Sequence, residues 1–155
     1  MDTSRKQILR KICMVLFFIY VVVLAYFVFF SDGYGRTAVH DEYRYNLHLF
    51  NEIKRFYVYS GSVGIVASVT NLAGNVVAFM PFGALIRWVR NKKTSLLCAT
   101  VHTFLFSLTI EFVQLVTKVG VFDVDDLVLN TIGGILGYAC YFILATINRR
   151  WQDVQ

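Results

Sequence analysis

The sequence predicts an all-α, polytopic membrane protein, with four transmembrane helices in a small bundle and a short amphipathic helix in an outer loop. Composition is the first observation, since 57% of the 155 residues are hydrophobic and 16% are charged, whereas a soluble domain carries about 25% charged residues. The second is a set of four apolar segments, each near the roughly 20 residues that a spanning helix needs. The third is that basic residues cluster between these segments, where they orient a protein in the membrane. We therefore treat residues 1–155 as one membrane domain.

The four predicted spans cover about residues 12–30, 71–89, 94–117 and 126–147. The first follows basic residues and could instead be a signal peptide. It is longer than the roughly 7–15-residue apolar core of such a peptide and lacks a small-x-small cleavage site, which favours an uncleaved anchor. The third span contains one charged residue, Glu111.

Basic residues near the span ends predict the orientation of the chain. Three clusters of lysine and arginine fall on one side of the predicted topology, at residues 5–11, 87–93 and 149–150. Most acidic residues fall on the other side, in the outer loop 31–70 and at residues 123–126. Because segments rich in lysine and arginine stay in the cytoplasm, we expect a multi-pass cell-membrane protein with cytoplasmic N- and C-termini. No basic stripe with interleaved aromatics is free of the bilayer, so we expect no nucleic-acid partner.

The outer loop contains the predicted amphipathic helix. Leu47, Phe50, Ile53 and Tyr57 recur at helical spacing, with polar residues between them. Such a helix lies on the membrane surface. It would serve either as a lid over the bundle or as a simple interfacial anchor.

Two features of the spans concern helix packing. Pro81 frees the carbonyl of Val77 and should kink the second span; in a membrane that carbonyl needs a partner from a neighbouring helix or from water. The kink either serves packing alone or opens a small polar pocket above it.

In the fourth span, Gly133 and Gly137 form a small-xxx-small pattern that lets two helices approach closely.

Polar residues in and beside the predicted spans share one depth. They come from three spans and lie about one or two turns, roughly 5–10 Å, below the outer boundary. Polar groups are costly in a bilayer and usually face the bundle interior, so the simplest arrangement has them facing one another. Two aspartates at the start of the fourth span continue the same helical face. The predicted site, here called the polar layer, consists of Asn75, Glu111, Gln114, Asp123, Asp126 and Asn130.

The polar layer allows more than one chemistry. Glu111 and Asp126 are candidate catalytic groups, because a positioned carboxylate can transfer protons. Asp123 and Asp126 are candidate ligands of Mg²⁺ or Ca²⁺, which take oxygen ligands, and we otherwise expect no cofactor. Candidate binding residues are Asn75, Gln114, Asp123 and Asn130. Simpler explanations stay open, since the aspartates could cap the fourth helix and the asparagines could be interhelical hydrogen bonds.

Three sequence blocks together carry a family resemblance. The first is N-L-A-G-N-V-V-A-F-M-P-F-G at residues 71–83. The second joins Glu111-x-x-Gln114 to Asp123-x-x-Asp126-x-x-x-Asn130-x-x-Gly133-Gly134-x-x-Gly137. The third is N-L-H-L-F at residues 46–50, in which Leu49 stands where the family has proline. In this order and spacing they resemble the VanZ-like family, named for a membrane protein associated with teicoplanin resistance. The resemblance implies a multi-pass membrane protein of the cell envelope.

Two functional hypotheses follow. In the first, the protein is linked to susceptibility to teicoplanin, a glycopeptide that carries a fatty acyl chain, through an outer-leaflet polar site that binds a lipid-bearing ligand or a partner. In the second, it is a small membrane enzyme acting on a lipid-linked or glycolipid substrate with a Glu/Asp site, with or without a divalent metal. Replacing Glu111 by glutamine separates them, because proton transfer requires the carboxylate. The expected partner is a membrane lipid or lipid-linked ligand, and a homo-oligomer is left open.

Overall fold

A computed structural model of the chain describes residues 3–30, 42–50, 54, 64–90 and 94–153. Four long helices dominate this part: α1 (Thr3–Phe30), α2 (Gly64–Arg90), α3 (Leu96–Thr117) and α4 (Val124–Asp153). Two short strands, β1 (Tyr45–Asn46) and β2 (Phe122–Asp123), form a parallel pair. All four helices are long and apolar enough to cross a membrane, which confirms the predicted all-α polytopic class.

The helices extend beyond the predicted spans. α1 begins at Thr3 and α2 at Gly64, ahead of the predicted residues 12 and 71, and α4 continues to Asp153. The length of an apolar run reflects the thickness of hydrocarbon that a helix crosses. The helix itself continues as far as its backbone hydrogen bonds do, so it can extend beyond the apolar run. The candidate membrane spans inside the helices are Ser4–Phe30, Leu72–Arg90, Leu96–Thr117 and Val124–Ile147.

The predicted amphipathic helix lies only partly within the described residues. Residues 47–50 are not helical: they follow strand β1 and end in a turn at Phe50, whose φ is 64°. Ile53 and Tyr57 lie outside the described residues. Beyond the turn, Lys54 is helical, and its N–H donates to the carbonyl oxygen of Phe50 at 2.9 Å.

α2 and α4 approach closely because glycines remove side chains from their contact. A Cβ on Gly137 would lie 2.6 Å from the carbonyl carbon of Met80, and a Cβ on Gly133 would lie 3.0 Å from that of Val76. Distances under about 3 Å between such atoms force the helices apart. Both glycines of the small-xxx-small pattern therefore lie on the α2–α4 contact.

A hydroxyl group from α1 reaches the backbone of α2 beside Pro81. Tyr20 Oη donates to the carbonyl oxygen of Ala78 at 2.8 Å. A proline disturbs the backbone of the turn before it, and this contact lies one residue beyond the Val77 carbonyl that the sequence singled out. Phe17, one turn earlier on α1, packs against Phe82 with ring centroids 5.4 Å apart. These two contacts hold α1 against the part of α2 around Pro81.

The distribution of polarity in the bundle suits a lipid environment. The buried side chains of α3 are small or polar: Ala99, Thr103, Ser107, Glu111 and Gln114. The opposite face exposes large apolar side chains, and Leu97 is 72% and Phe112 60% exposed. A soluble monomer rarely exposes such a surface in water, whereas a polytopic protein places it against acyl chains.

Candidate functional site

The strand pair connects the segment before residue 50 to the start of α4. Tyr45 pairs with Phe122, and Asn46 pairs with Asp123. This register places Asn46 Nδ2 at 3.2 and 3.1 Å from the two carboxylate oxygens of Asp123. One side-chain amide thus contacts both oxygens and fixes the orientation of the carboxylate. We call this end of the bundle the strand end.

Asp123 also caps α4. It stands immediately before Val124, the first helical residue, and its Oδ1 accepts the N–H of Asp125 at 2.8 Å. A side-chain oxygen that bonds the second N–H of a helix is N-cap geometry, and a carboxylate there is favoured by the helix dipole. The capping explanation therefore describes Asp123, which serves the strand pair and the helix start together.

Glu111 reaches the same junction from α3. Its side chain is 2% exposed, and its Oε2 accepts the backbone N–H of Asp123 at 3.0 Å. A buried carboxylate is costly unless it is hydrogen-bonded, and the start of α4 supplies one such bond. Glu111 therefore ties α3 to the residue that both pairs with β1 and caps α4.

Asp126 turns towards α2 instead. Asn75 Nδ2 donates to Asp126 Oδ1 at 2.5 Å, and Asp126 is 8% exposed. Asp126 lies in the first turn of α4, where the helix has already begun, so its side chain follows the helical face that meets α2. This contact ties α2 to α4 at the strand end.

Asn130 and Gln114 lie at two edges of the polar layer. Asn130 Nδ2 donates to Ser107 Oγ at 2.9 Å, one turn deeper in α4 than Asp126. Its Oδ1 is buried and has no hydrogen-bond partner within the part of the chain that the structure describes. Gln114 Nε2 points to α1, where the carbonyl oxygen of Val28 lies 3.4 Å away. The polar layer thus has contacts from all four helices.

The residues of this layer fall inside a region shared with known proteins. A family model described as VanZ/LLP1 matches residues 17–145. The chain belongs to the VanZ/LLP1 family. Protein VanZ of Enterococcus faecium is 29% identical to it over 125 residues, which cover 79% of this chain and 69% of that protein. No solved structure matches the chain. With its four apolar helices, this VanZ/LLP1 chain is a multi-pass membrane protein.

The two predicted metal ligands of this VanZ/LLP1 chain face different partners. Asp123 contacts Asn46 and the Asp125 N–H, while Asp126 contacts Asn75. Among the described residues, no group of three or more His, Cys, Asp or Glu side chains is arranged to hold a metal ion. Mg²⁺ is usually bound by one or two carboxylates, with water and substrate as its other ligands. A cation at these aspartates therefore stays a prediction and would need ligands beyond them.

Sequence reasoning missed three polar residues of the VanZ/LLP1 site: Asn46, Ser107 and Asp125. Asp125 is 4% exposed, and its Oδ1 accepts the N–H of Phe50 at 2.5 Å. Asn46 carried a signal as the first residue of the N-L-H-L-F block. Ser107 lies one turn before Glu111, so four-residue spacing along α3 could have found it. No spacing signal distinguishes Asp125 from the acids beside it.

Proposed function

We propose that this VanZ/LLP1 protein binds a lipid-bearing ligand through its polar layer at the outer leaflet of the cell membrane, and so affects susceptibility to teicoplanin. The observation that carries the proposal is a set of buried carboxylates, among them Glu111 and Asp126, at one end of a bundle whose outer surface is apolar. An ionisable residue within a membrane span is a functional candidate by default. Carboxylate and amide oxygens accept hydrogen bonds, so the ligand should present hydroxyl or amide donors. Kinship with Protein VanZ supports the link to teicoplanin susceptibility.

Binding is favoured over catalysis by the way in which the carboxylates are held. Glu111 accepts a backbone N–H, and Asp126 accepts the Asn75 amide. Such bonds fix the acceptors in place before a ligand arrives, which lowers the entropy lost on binding. A general base must in addition reach a substrate proton at about 2.6–3.2 Å. The enzymatic alternative, with Glu111 and Asp126 as the acid and base, is tested by the Glu111 substitutions in the Discussion.

The proposal requires both termini in the cytoplasm. It is supported by Arg87 and Arg90 in the last turn of α2 and by Asp125 and Asp126 in the first turn of α4, at opposite ends of the bundle. In a chain without its native cysteines, we expect a membrane-impermeant maleimide to label His48→Cys on intact cells. Lys92→Cys should react only after permeabilisation. Labelling of Lys92→Cys on intact cells would show that the orientation is the reverse of the proposed one, with the polar layer at the cytoplasmic leaflet.

The sharpest test of binding is Asp126→Asn. The asparagine oxygen can still accept the Asn75 hydrogen bond, so the bundle should remain folded while the charge is lost. A hydrogen bond to a charged group is worth about 1.5–3 kcal/mol, so ligand affinity should fall roughly 10- to 100-fold. We expect the variant to lose its effect on teicoplanin susceptibility in a host that lacks the native protein, at wild-type membrane levels on an immunoblot.

The matched control is Glu42→Gln, which removes the same charge from an exposed position outside the bundle. This variant should behave as wild type. Wild-type susceptibility from Asp126→Asn would contradict the binding proposal. If both variants lost the effect on susceptibility equally, the effect would depend on the net charge of the protein and not on the site.

A further inference from the structure

A groove runs between α1 and α2 on the side of the bundle away from the α2–α4 contact. Its volume is about 310 Å³, within the range of roughly 300–1,000 Å³ of small-molecule sites. Its walls come from Leu24, Phe27 and Val28 of α1 and from Gly74, Asn75 and Ala78 of α2. It extends along about eight residues of each helix, or roughly 12 Å at 1.5 Å per residue. The groove is therefore long and narrow rather than round.

The groove exists because α2 offers little side-chain volume to α1 at this level. Gly74 and Ala78 are small, and Pro81 lies at the other end of the same wall. That end is also where Tyr20 Oη donates to the Ala78 carbonyl. The opening faces the outside of the bundle, since Val77 and Phe27 on its margins are 62% and 55% exposed. In a membrane, this outside is hydrocarbon, so an acyl chain can enter laterally.

The end of the groove towards the strand pair is polar. Asn75 is part of the groove wall, and its Nδ2 donates to Asp126. On the α1 side, the Val28 carbonyl lies beside the amide of Gln114. An apolar groove thus ends directly on the polar layer. The arrangement matches an amphiphile whose chain lies along the groove and whose head group reaches the carboxylate of Asp126.

We propose that the α1–α2 groove binds one acyl chain of a membrane glycolipid whose uncharged, hydroxyl-bearing head group donates to Asp126. The proposal rests on the proposed function and assigns its ligand class. The head group is uncharged because an anionic phosphate would meet the buried carboxylates Glu111 and Asp126, and like charges at short range repel. Sugar hydroxyls can donate to both carboxylate oxygens and to the neighbouring amide oxygens.

The test uses the purified full chain in phosphatidylcholine nanodiscs that contain glucosyl diacylglycerol with a diazirine in one acyl chain. After irradiation, mass spectrometry locates the cross-links. We expect them to concentrate on residues 20–28 and 74–81 rather than on the exposed apolar face of α3. Cross-links spread evenly over every lipid-facing helix would overturn the proposal, because they would mean bulk lipid contact alone.

Two variants sharpen the result. Ala78→Leu fills the groove and should lower the groove cross-links about tenfold. Leu105→Phe makes a comparable enlargement on the exposed face of α3, where Leu105 is 53% exposed, and should leave them unchanged. Equal cross-linking in Ala78→Leu and wild type would count against a bound chain. If Ala78→Leu does not fold, the cross-link map of the wild type decides the question.

The head-group contact is tested separately with Asp126→Asn and a phosphatidylcholine that carries the same diazirine chain. In the wild type, we expect the glycolipid to label the groove more than the phosphatidylcholine probe does; in Asp126→Asn this preference should vanish. Equal labelling by the two probes in the wild type would refute the glycolipid. If the glycolipid labels the groove and Asp126→Asn has the same effect on teicoplanin susceptibility as the wild type, the groove is upheld and the proposed function is refuted. No groove labelling, with susceptibility lost in Asp126→Asn, would refute the groove alone.

Discussion

Gly83→Ala should destabilise the bundle by about 1–3 kcal/mol or more, and no second substitution of a side chain should restore it. A Cβ on Gly83 would lie 2.6 Å from the carbonyl carbon and 2.8 Å from the Cα of Gly134. These are backbone atoms of α4, so relief requires the two helices to separate along their whole contact. Unfolding in mixed detergent micelles, followed by circular dichroism, should show the loss of stability.

Gly134→Ala provides the matched comparison, because its obstacle is a side chain. A Cβ there would meet Thr103, with Cγ2 at 2.5 Å and Cβ at 2.8 Å. Thr103 is fully buried, and its hydroxyl donates within α3 to the Ala99 carbonyl at 2.9 Å. Thr103→Ala should therefore partly rescue Gly134→Ala, with a coupling energy of about 0.5–3 kcal/mol, and should not rescue Gly83→Ala. If Thr103→Ala rescued both glycine variants equally, or rescued neither, this account of the helix crossing would be contradicted.

Glu111→Ala should be the most damaging single change at the polar layer. It removes the acceptor of the Asp123 N–H at the junction of α3, β2 and α4. Losing a hydrogen bond costs about 0.5–1.5 kcal/mol, and Asp123, the residue that caps α4, loses its contact with α3. We expect less folded protein in the membrane and complete loss of the effect on teicoplanin susceptibility. Phe112→Ala, at the next position but 60% exposed to lipid, should keep both.

Glu111→Gln distinguishes binding from proton transfer. The glutamine carbonyl can still accept the Asp123 N–H, so the fold should survive. If the main role of Glu111 is its contact with the Asp123 N–H, and Asp126 is the acceptor for the ligand, the variant should retain most of the wild-type effect on susceptibility. Abolished function at a wild-type unfolding midpoint would instead favour the enzymatic alternative, in which a carboxylate must exchange a proton.

The sequence could predict the helices because they follow from physics along a single helix. Apolar length sets a span, and three- and four-residue spacing sets a face. The spacing rule placed Asp123 and Asp126 on one face. In the structure, Asp123 is the N-cap, where the backbone is not yet helical, so its side chain turns to Asn46 and the two aspartates separate.

The parallel pair of β1 and β2 had no signal in the sequence. A strand of two residues shows no alternation of polarity, and its partner lies far along the chain. The same limit applies to Tyr20, since nothing in the first span indicates which carbonyl of α2 its hydroxyl would reach. Contacts between elements depend on how the helices cross. The crossing of α2 and α4 is set by small residues such as Gly133 and Gly137, which are distant in the sequence from Tyr20 and from the two strands.

The separation of Asn46 and Asp123, 77 residues apart, has a consequence for biogenesis. At a synthesis rate of about 5–20 residues per second, Asp123 follows Asn46 out of the ribosome by roughly 4–15 s. During that interval the segment around Asn46 waits without the partner that fixes it, while α2 and α3 are inserted. The polar layer is therefore completed late, and a nascent chain arrested before residue 123 would expose an unpaired strand that membrane quality-control proteases could recognise.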